Sequence, residues 1–280
     1  IADQSNLTEG PTWTSEGLLY SECSESITWI YNPKDESNSI WRENTGGSNG
    51  MLLDRNGKLY ACEGERRRLV SYQSGKDTEV IATEFEGRKF NEPNDLAIFP
   101  DGKNIWFSDP NYGGRPLSID HESVYLASKE GSSWKVKRAT FDTDRPNGVL
   151  LSKDSGKLYV ANSPHNFDNP DIRRELRSYE INDDLSLGSY EVMHDFGPHR
   201  GVDGMTLDSE GNIVATAGFN TSGPGPMIYH FDPEGRVIQT FEAPEDSPTN
   251  CTFGGDKKDI LYVTFATGAV YMLEGTGLTG

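Results

Sequence analysis

The 280-residue chain is predicted to be all-β: a six-bladed β-propeller forming one domain over residues 1–280. Three observations carry this. A strand–turn–strand pattern recurs six times at the spacing that four-stranded blades need, roughly 40–50 residues. Glycine and proline, 30 and 15 residues, punctuate short β-rich runs. No run with helical apolar spacing interrupts the series, which disfavours α/β folds.

The copies follow in order. The first opens at Thr8-Glu9-Gly10-Pro11-Thr12-Trp13 and continues at Gly17-Leu18-Leu19-Tyr20. The second is Ser48-Asn49-Gly50-Met51-Leu52-Leu53, an Asp54-to-Gly57 turn, then Leu59-Tyr60-Ala61-Cys62. The third runs from Pro93-Asn94-Asp95-Leu96 through Asp101-Gly102 to Ile105-Trp106-Phe107. The fourth, Pro146-Asn147-Gly148-Val149, leads to Leu158-Tyr159-Val160, and the fifth, Val202-Asp203-Gly204-Met205, to Ile213-Val214. The sixth pairs Pro248-Thr249-Asn250-Cys251 with Ile260-Leu261-Tyr262-Val263. Little chain remains after that, so residues 1–8 are expected to supply a closing strand, because closure removes exposed sheet edges.

Each apolar run is preceded by a polar step: Glu9, Asn49, Asn94, Asn147, Asp203 and Asn250. The innermost strand of a blade starts at the mouth of the channel, so these six side chains are expected to face the axis. One Asn or Asp is ordinary turn chemistry. Six on one axis, two of them carboxylates, instead suit a hard divalent cation such as calcium or magnesium. The expected channel is therefore a metal-binding one. Without a cation the two carboxylates would repel, and one would take a proton.

Charge sets outer limits. Lys plus Arg number 26 and Asp plus Glu 44, a net −18, which argues against nucleic acid and anionic membrane as partners. No apolar run reaches the ~18 residues of a membrane span. Cys23, Cys62 and Cys251 are too few and too scattered for a disulfide framework, although one bridge is compatible with them. The first residue is Ile1, so trimming and leader removal both fit; the localisation expectation is soluble, exported or cytoplasmic. The expected state is a monomer, since blade rings bury their own edges.

Several segments together resemble the gluconolactonase / senescence-marker-protein (regucalcin) family of calcium-dependent six-bladed propellers, nearest its bacterial gluconolactonase branch. They are Glu9-Gly-Pro-Thr-Trp13, Asn94-Asp95, Phe107-Ser-Asp-Pro-Asn-Tyr-Gly113, Pro146-Asn147-Gly148, Asp203-Gly204-Met205 and Pro248-Thr-Asn-Cys-Thr-Phe-Gly-Gly255. The resemblance implies one divalent cation, calcium foremost with magnesium, manganese or zinc as alternatives, held by Glu9, Asn94, Asn147 and Asp203. Asn49 and Asn250 would stand behind them. It implies hydrolysis of a small-molecule lactone, with Asp203 as both ligand and general base. A carboxylate bound to a cation is a weak base, so a histidine or ion-activated hydroxide is the alternative. The animal branch carries a sugar-binding arginine two residues before the first metal Asn; here that position is Glu92, so its specificity does not transfer.

Substrate contacts are expected from the stretched connections at 111–121, 163–174 and 219–226, with Tyr112, Arg115, His165 and Arg173 as candidates. The Gly46-to-Gly50 match to a nucleophile elbow lacks a following helix, and the Gly-rich 275–280 end lacks a helix to hold phosphate. Two other functions compete with a lactonase: a phosphotriesterase of the same fold acting on organophosphates, and a non-catalytic calcium- or ligand-binding platform.

Overall fold

The repeats become six antiparallel four-stranded sheets in a computed structural model that describes residues 1–4, 6–72, 77–112, 114–164, 169 and 171–280. Blade 1 comprises Thr8–Trp13, Leu18–Glu22, Ile27–Asn32 and Ser37–Glu43. Blade 2 comprises Ser48–Leu53, Leu59–Glu63, Arg68–Tyr72 and Thr78–Ala82. Blade 3 comprises Leu96–Ile98, Asn104–Asp109, Ser123–Glu130 and Ser133–Arg138. Blade 4 comprises Pro146–Leu151, Lys157–Asn162, Glu175–Ile181 and Leu187–Asp195. Blade 5 comprises Val202–Leu207, Ile213–Phe219, Ser222–Phe231 and Val237–Glu242. Blade 6 comprises Pro248–Gly254, Ile260–Phe265 and Ala269–Leu273, completed by Ala2–Asp3. The fold is the expected six-bladed propeller; no helix occurs among the described residues, so none is long and apolar enough to cross a membrane.

Ring closure follows the sequence reading. Ala2 pairs with Val270 and Asp3 with Ala269, placing the first strand outermost on the last blade. Thr8 Oγ1 donates to the carbonyls of Phe265 (3.1 Å) and Ala269 (2.8 Å), and Thr249 Oγ1 donates to the Thr8 carbonyl at 2.8 Å. The two ends of the chain are thus stitched through buried groups, where a hydrogen bond faces little competition from water.

The core lies between the blades. Among the described residues an apolar cluster fills each of the six junctions. The second strands, Leu18–Glu22 and Leu59–Glu63, are buried at every position because both faces of their sheets are covered. The outermost Val237–Glu242 is nearly all exposed and carries the polar residues. At the closing junction Trp13 stacks on Tyr262, with ring centroids 5.4 Å apart and planes 13° apart. The three cysteines are free thiols, so no bridge assists the packing.

The inner strands share one irregularity. Register shifts fall between Glu9 and Thr12, Ser48 and Met51, Pro146 and Val149, Val202 and Met205, and Pro248 and Asn250. A bulge releases residues from the ladder and re-aims their side chains. Here it releases Asn49, Asn147 and Asp203, whereas Glu9 stays opposite Ser21 and Asn250 opposite Thr264 at the edge of the shift. The residue after the step sits against the next blade. A Cβ on Gly148 would lie 2.4 Å from the Asp203 carbonyl oxygen, and one on Gly204 would lie 2.1 Å from Asn250 Cγ. Gly148→Ala is expected to cost about 1–3 kcal/mol in urea unfolding by overpacking a backbone contact. Gly156→Ala, whose added carbon meets nothing nearer than an Asp154 oxygen at 3.4 Å, is expected to stay within about 0.5 kcal/mol.

Candidate metal centre and its pocket

Bulges at the start of blades 1, 4 and 5, and the approach to blade 3, bring Glu9, Asn94, Asn147 and Asp203 to one end of the channel. Asn94 Nδ2 donates to Asn147 Oδ1 at 2.6 Å. The Asn147 side chain in turn hydrogen-bonds Asp203, and the Asp203 and Glu9 carboxylates lie close enough to repel. Glu9 Oε2 accepts from the Gly10 amide at 2.8 Å and from Asn250 Nδ2 at 3.2 Å. Asn250 therefore stands directly behind Glu9. Asn49 occupies the equivalent bulge of blade 2, where its carbonyl accepts from Ser21 Oγ at 3.3 Å.

The electrostatics are unfavourable for two bare carboxylates. Burial, then repulsion from Asp203, pushes the Glu9 carboxyl well above its ordinary range. Burial raises Asp203 too, although its pair with Arg200 pulls the other way. A third acid, Asp95, occupies the position that Gly10, Gly50, Gly148 and Gly204 take in other copies, and burial pushes it up to about 7. The set is two carboxylates and two amides, side chains with hard oxygen atoms linked to one another through Asn147 and Asp203. Those residues fit a divalent cation, which would remove the repulsion that their burial creates. No cluster of three or more His, Cys, Asp or Glu forms a metal site among the described residues.

Above this group opens a cavity of about 210 Å³, lined by Tyr112, Arg145, Asn147, Arg174, Arg200, Asp203 and Phe219 among others. Of the expected substrate contacts Tyr112 lines this cavity, its ring partly exposed and its hydroxyl 3.4 Å from Asn94 Nδ2. Arg115 instead turns to Glu92, 3.8 Å away, and Arg173 to Asp195, also 3.8 Å, with 57% of its side chain exposed. His165 lies outside the described residues. The expected loop at 219–226 is corrected in part: Phe219 pairs with Ser222 around a two-residue turn, while residues 223–226 form an irregular bulge at the start of the strand before Met227 pairs with Ala217. The other four histidines are engaged elsewhere. His121 meets Ser123, His199 meets Ser222, His230 meets Asp208 at 2.9 Å, and His194 packs against Phe196 and Phe231.

Arg145, Arg174, Arg200 and Asp95 were not singled out from the sequence. A signal for two of the arginines exists. The chain enters each inner strand from the rim, so residues two or three before a polar step line the mouth, and Arg145 and Arg200 hold those places before Asn147 and Asp203. Asp95 is visible as the acid that interrupts a column of glycines.

The model of the SMP-30/gluconolactonase/LRE-like region matches residues 7–267. A gluconolactonase of Zymomonas mobilis is 28% identical, covering 94% of this chain and 77% of its own. A pentonolactonase of Haloferax volcanii is 24% identical, covering 98% and 84%. The solved structure of a gluconolactonase from Xanthomonas campestris superposes with a TM-score of 0.82 at 25% identity, over 97% of this chain and 87% of that one. With the family match running through all six blades and their polar steps, the chain belongs to the SMP-30/gluconolactonase/LRE-like family.

Proposed function

We propose that this chain is a divalent-cation-dependent lactonase that opens sugar lactones or similar small cyclic esters with water. The observation that supports the reading is that Asn94 hydrogen-bonds Asn147, Asn147 hydrogen-bonds Asp203 and Glu9 lies close enough to Asp203 to repel it, beside a small pocket that Asn147 and Asp203 line. Family membership and the likeness to a gluconolactonase and a pentonolactonase support the substrate class. Those four residues would hold the cation, with Asn250 and Asn49 behind them; all-oxygen donors favour calcium, and magnesium, manganese or zinc are the alternatives to test.

When bound, the cation would supply Lewis-acid stabilisation of negative charge on the lactone carbonyl oxygen. The remaining work falls to the chain. Asp203 accepts the proton of the attacking water and returns it to the ring oxygen as the ester C–O bond breaks. Arg200 orients that carboxylate: one amino group pairs with it, while the other donates to the carbonyls of Gly218 (3.0 Å) and Pro248 (2.9 Å). Tyr112 and Phe219 wall the pocket and position the ring.

Purified protein with calcium, magnesium, manganese or zinc is expected to open an aldonolactone above the uncatalysed rate, followed by acid release. Asp203→Asn should lower kcat by about 10²–10⁴-fold, the range for a lost general base. No opening of any aldonolactone with any of the four ions would sink the reading, and faster turnover of an organophosphate would move it to phosphotriester hydrolysis.

Stability supplies a separate check. In the metal-free protein Glu9 and Asp203 have folded pKa values above their unfolded ones. Their protonated forms are thus favoured by folding, and that contribution is complete below the unfolded carboxylate range and fades as pH rises through the raised values. A cation binds the ionised forms and offsets the loss. Calcium should therefore raise the melting temperature more at pH 8 than at pH 5, and Glu9→Gln should shrink the difference; equal shifts at both pH values would contradict the account.

A further inference from the structure

A second cavity lies at the other end of blade 1 from the channel oxygens. Glu9 and Trp13 stand near opposite ends of the strand Thr8–Trp13, about 13 Å apart by strand rise. Trp13 lines a cavity of about 880 Å³ between blades 1 and 6, within the range of small-molecule sites. The apolar part of its lining is Trp13, Tyr262, Ile30 and Ile260, with the half-buried Trp13 stacked on Tyr262. Two hairpin turns contribute further lining. In blade 1 the Thr14 amide donates to the Gly17 carbonyl at 2.8 Å, and Thr14 Oγ1 donates to the same oxygen at 2.9 Å. In blade 6 the Lys258 amide donates to the Gly255 carbonyl at 3.2 Å. Each turn is held by its own hydrogen bonds, so the cavity has its shape before anything enters it.

The polar groups of this lining are unspent. Tyr262 is fully buried, and its hydroxyl has no hydrogen-bond partner among the described residues. A buried hydroxyl without a partner is costly, and a ligand that completes the bond removes the cost. The charged lining is two acids, Glu16 and Asp256, and two lysines, Lys34 and Lys258; none of the four joins an ion pair among the described residues. That balance favours neither an anion nor a cation. Asn32 and Ser39 add an amide and a hydroxyl. A lining that both donates and accepts suits a ligand whose own groups do both. One aromatic wall among polar ones suits a sugar ring, which carries apolar C–H bonds on a face and hydroxyls round its edge. A flat heterocycle would be better served by aromatic rings on both sides. We infer that this cavity binds a short neutral oligosaccharide, with one ring against Trp13 and its hydroxyls meeting Tyr262, Asn32 and Ser39. The site is separate from the channel and does not rest on lactone hydrolysis.

The test is calorimetric titration of the full chain with maltotriose, cellotriose and xylotriose, and with indole as an apolar counter-probe. At least one trisaccharide is expected to bind with a Kd of about 5 mM or tighter. Trp13→Ala removes the aromatic wall, and Ser39→Trp fills the cavity from an exposed strand position. Each should weaken that binding about fivefold or more. Should Trp13→Ala unsettle the closing junction, where its ring stacks on Tyr262, Ser39→Trp decides alone. Three trisaccharides that all bind more weakly than about 5 mM overturn the inference, whether or not indole binds. So does saccharide binding that Ser39→Trp lowers by less than about fivefold, because the sugar then sits elsewhere.

Discussion

Two carboxylates held together on a buried axis are the constraint on which the rest of the structure depends. Glu9 and Asp203 each raise the cost of ionising the other, and Asp95 adds a third acid nearby. A protein gains nothing in stability from such a cluster unless protons or a cation neutralise it. The surrounding architecture reads as a means of tolerating it. Asn250 and the Gly10 amide donate to Glu9, Arg200 and Asn147 donate to Asp203, and glycines beside the polar steps let adjacent blades close on them.

The constraint also explains why the chain is closed by its own beginning. Glu9 belongs to the first blade and Asp203 to the fifth, so their distance is fixed only if the ring is complete. The Ala2–Asp3 strand, the Thr8 and Thr249 hydroxyls and the Trp13–Tyr262 stack hold the first and last blades together. These contacts lie far from each other in sequence yet act on the same few side chains. Ring closure and site geometry are one property of the fold, not two.

Much of this was legible in the residues. Blade number, the closing strand and the ring of polar steps follow from a period that strand geometry makes hard to hide, because every copy needs the same apolar run, turn and apolar run. The bulges were not legible, since a register shift leaves no mark in composition, although the glycines after the steps are its trace. The pocket lining was the least readable. Arg173 and Arg174 are neighbours, yet one pairs with Asp195 at the surface and the other is buried in the cavity. Nothing in a loop sequence without regular alternation states which of two adjacent side chains turns inward. The stretch at 219–226 misleads differently: its glycines and proline suggest a loop, but Phe219 and Ser222 pair around a two-residue turn and the glycines fall in a bulge that follows it.

The most direct measurement is a crystal structure of the protein grown with manganese as an anomalous stand-in for calcium. The account predicts one strong anomalous peak on the propeller axis, with Glu9, Asn94, Asn147 and Asp203 oxygens about 2.0–2.6 Å away. A metal-saturated crystal with no peak among those four side chains, or with the ion bound elsewhere, would contradict it.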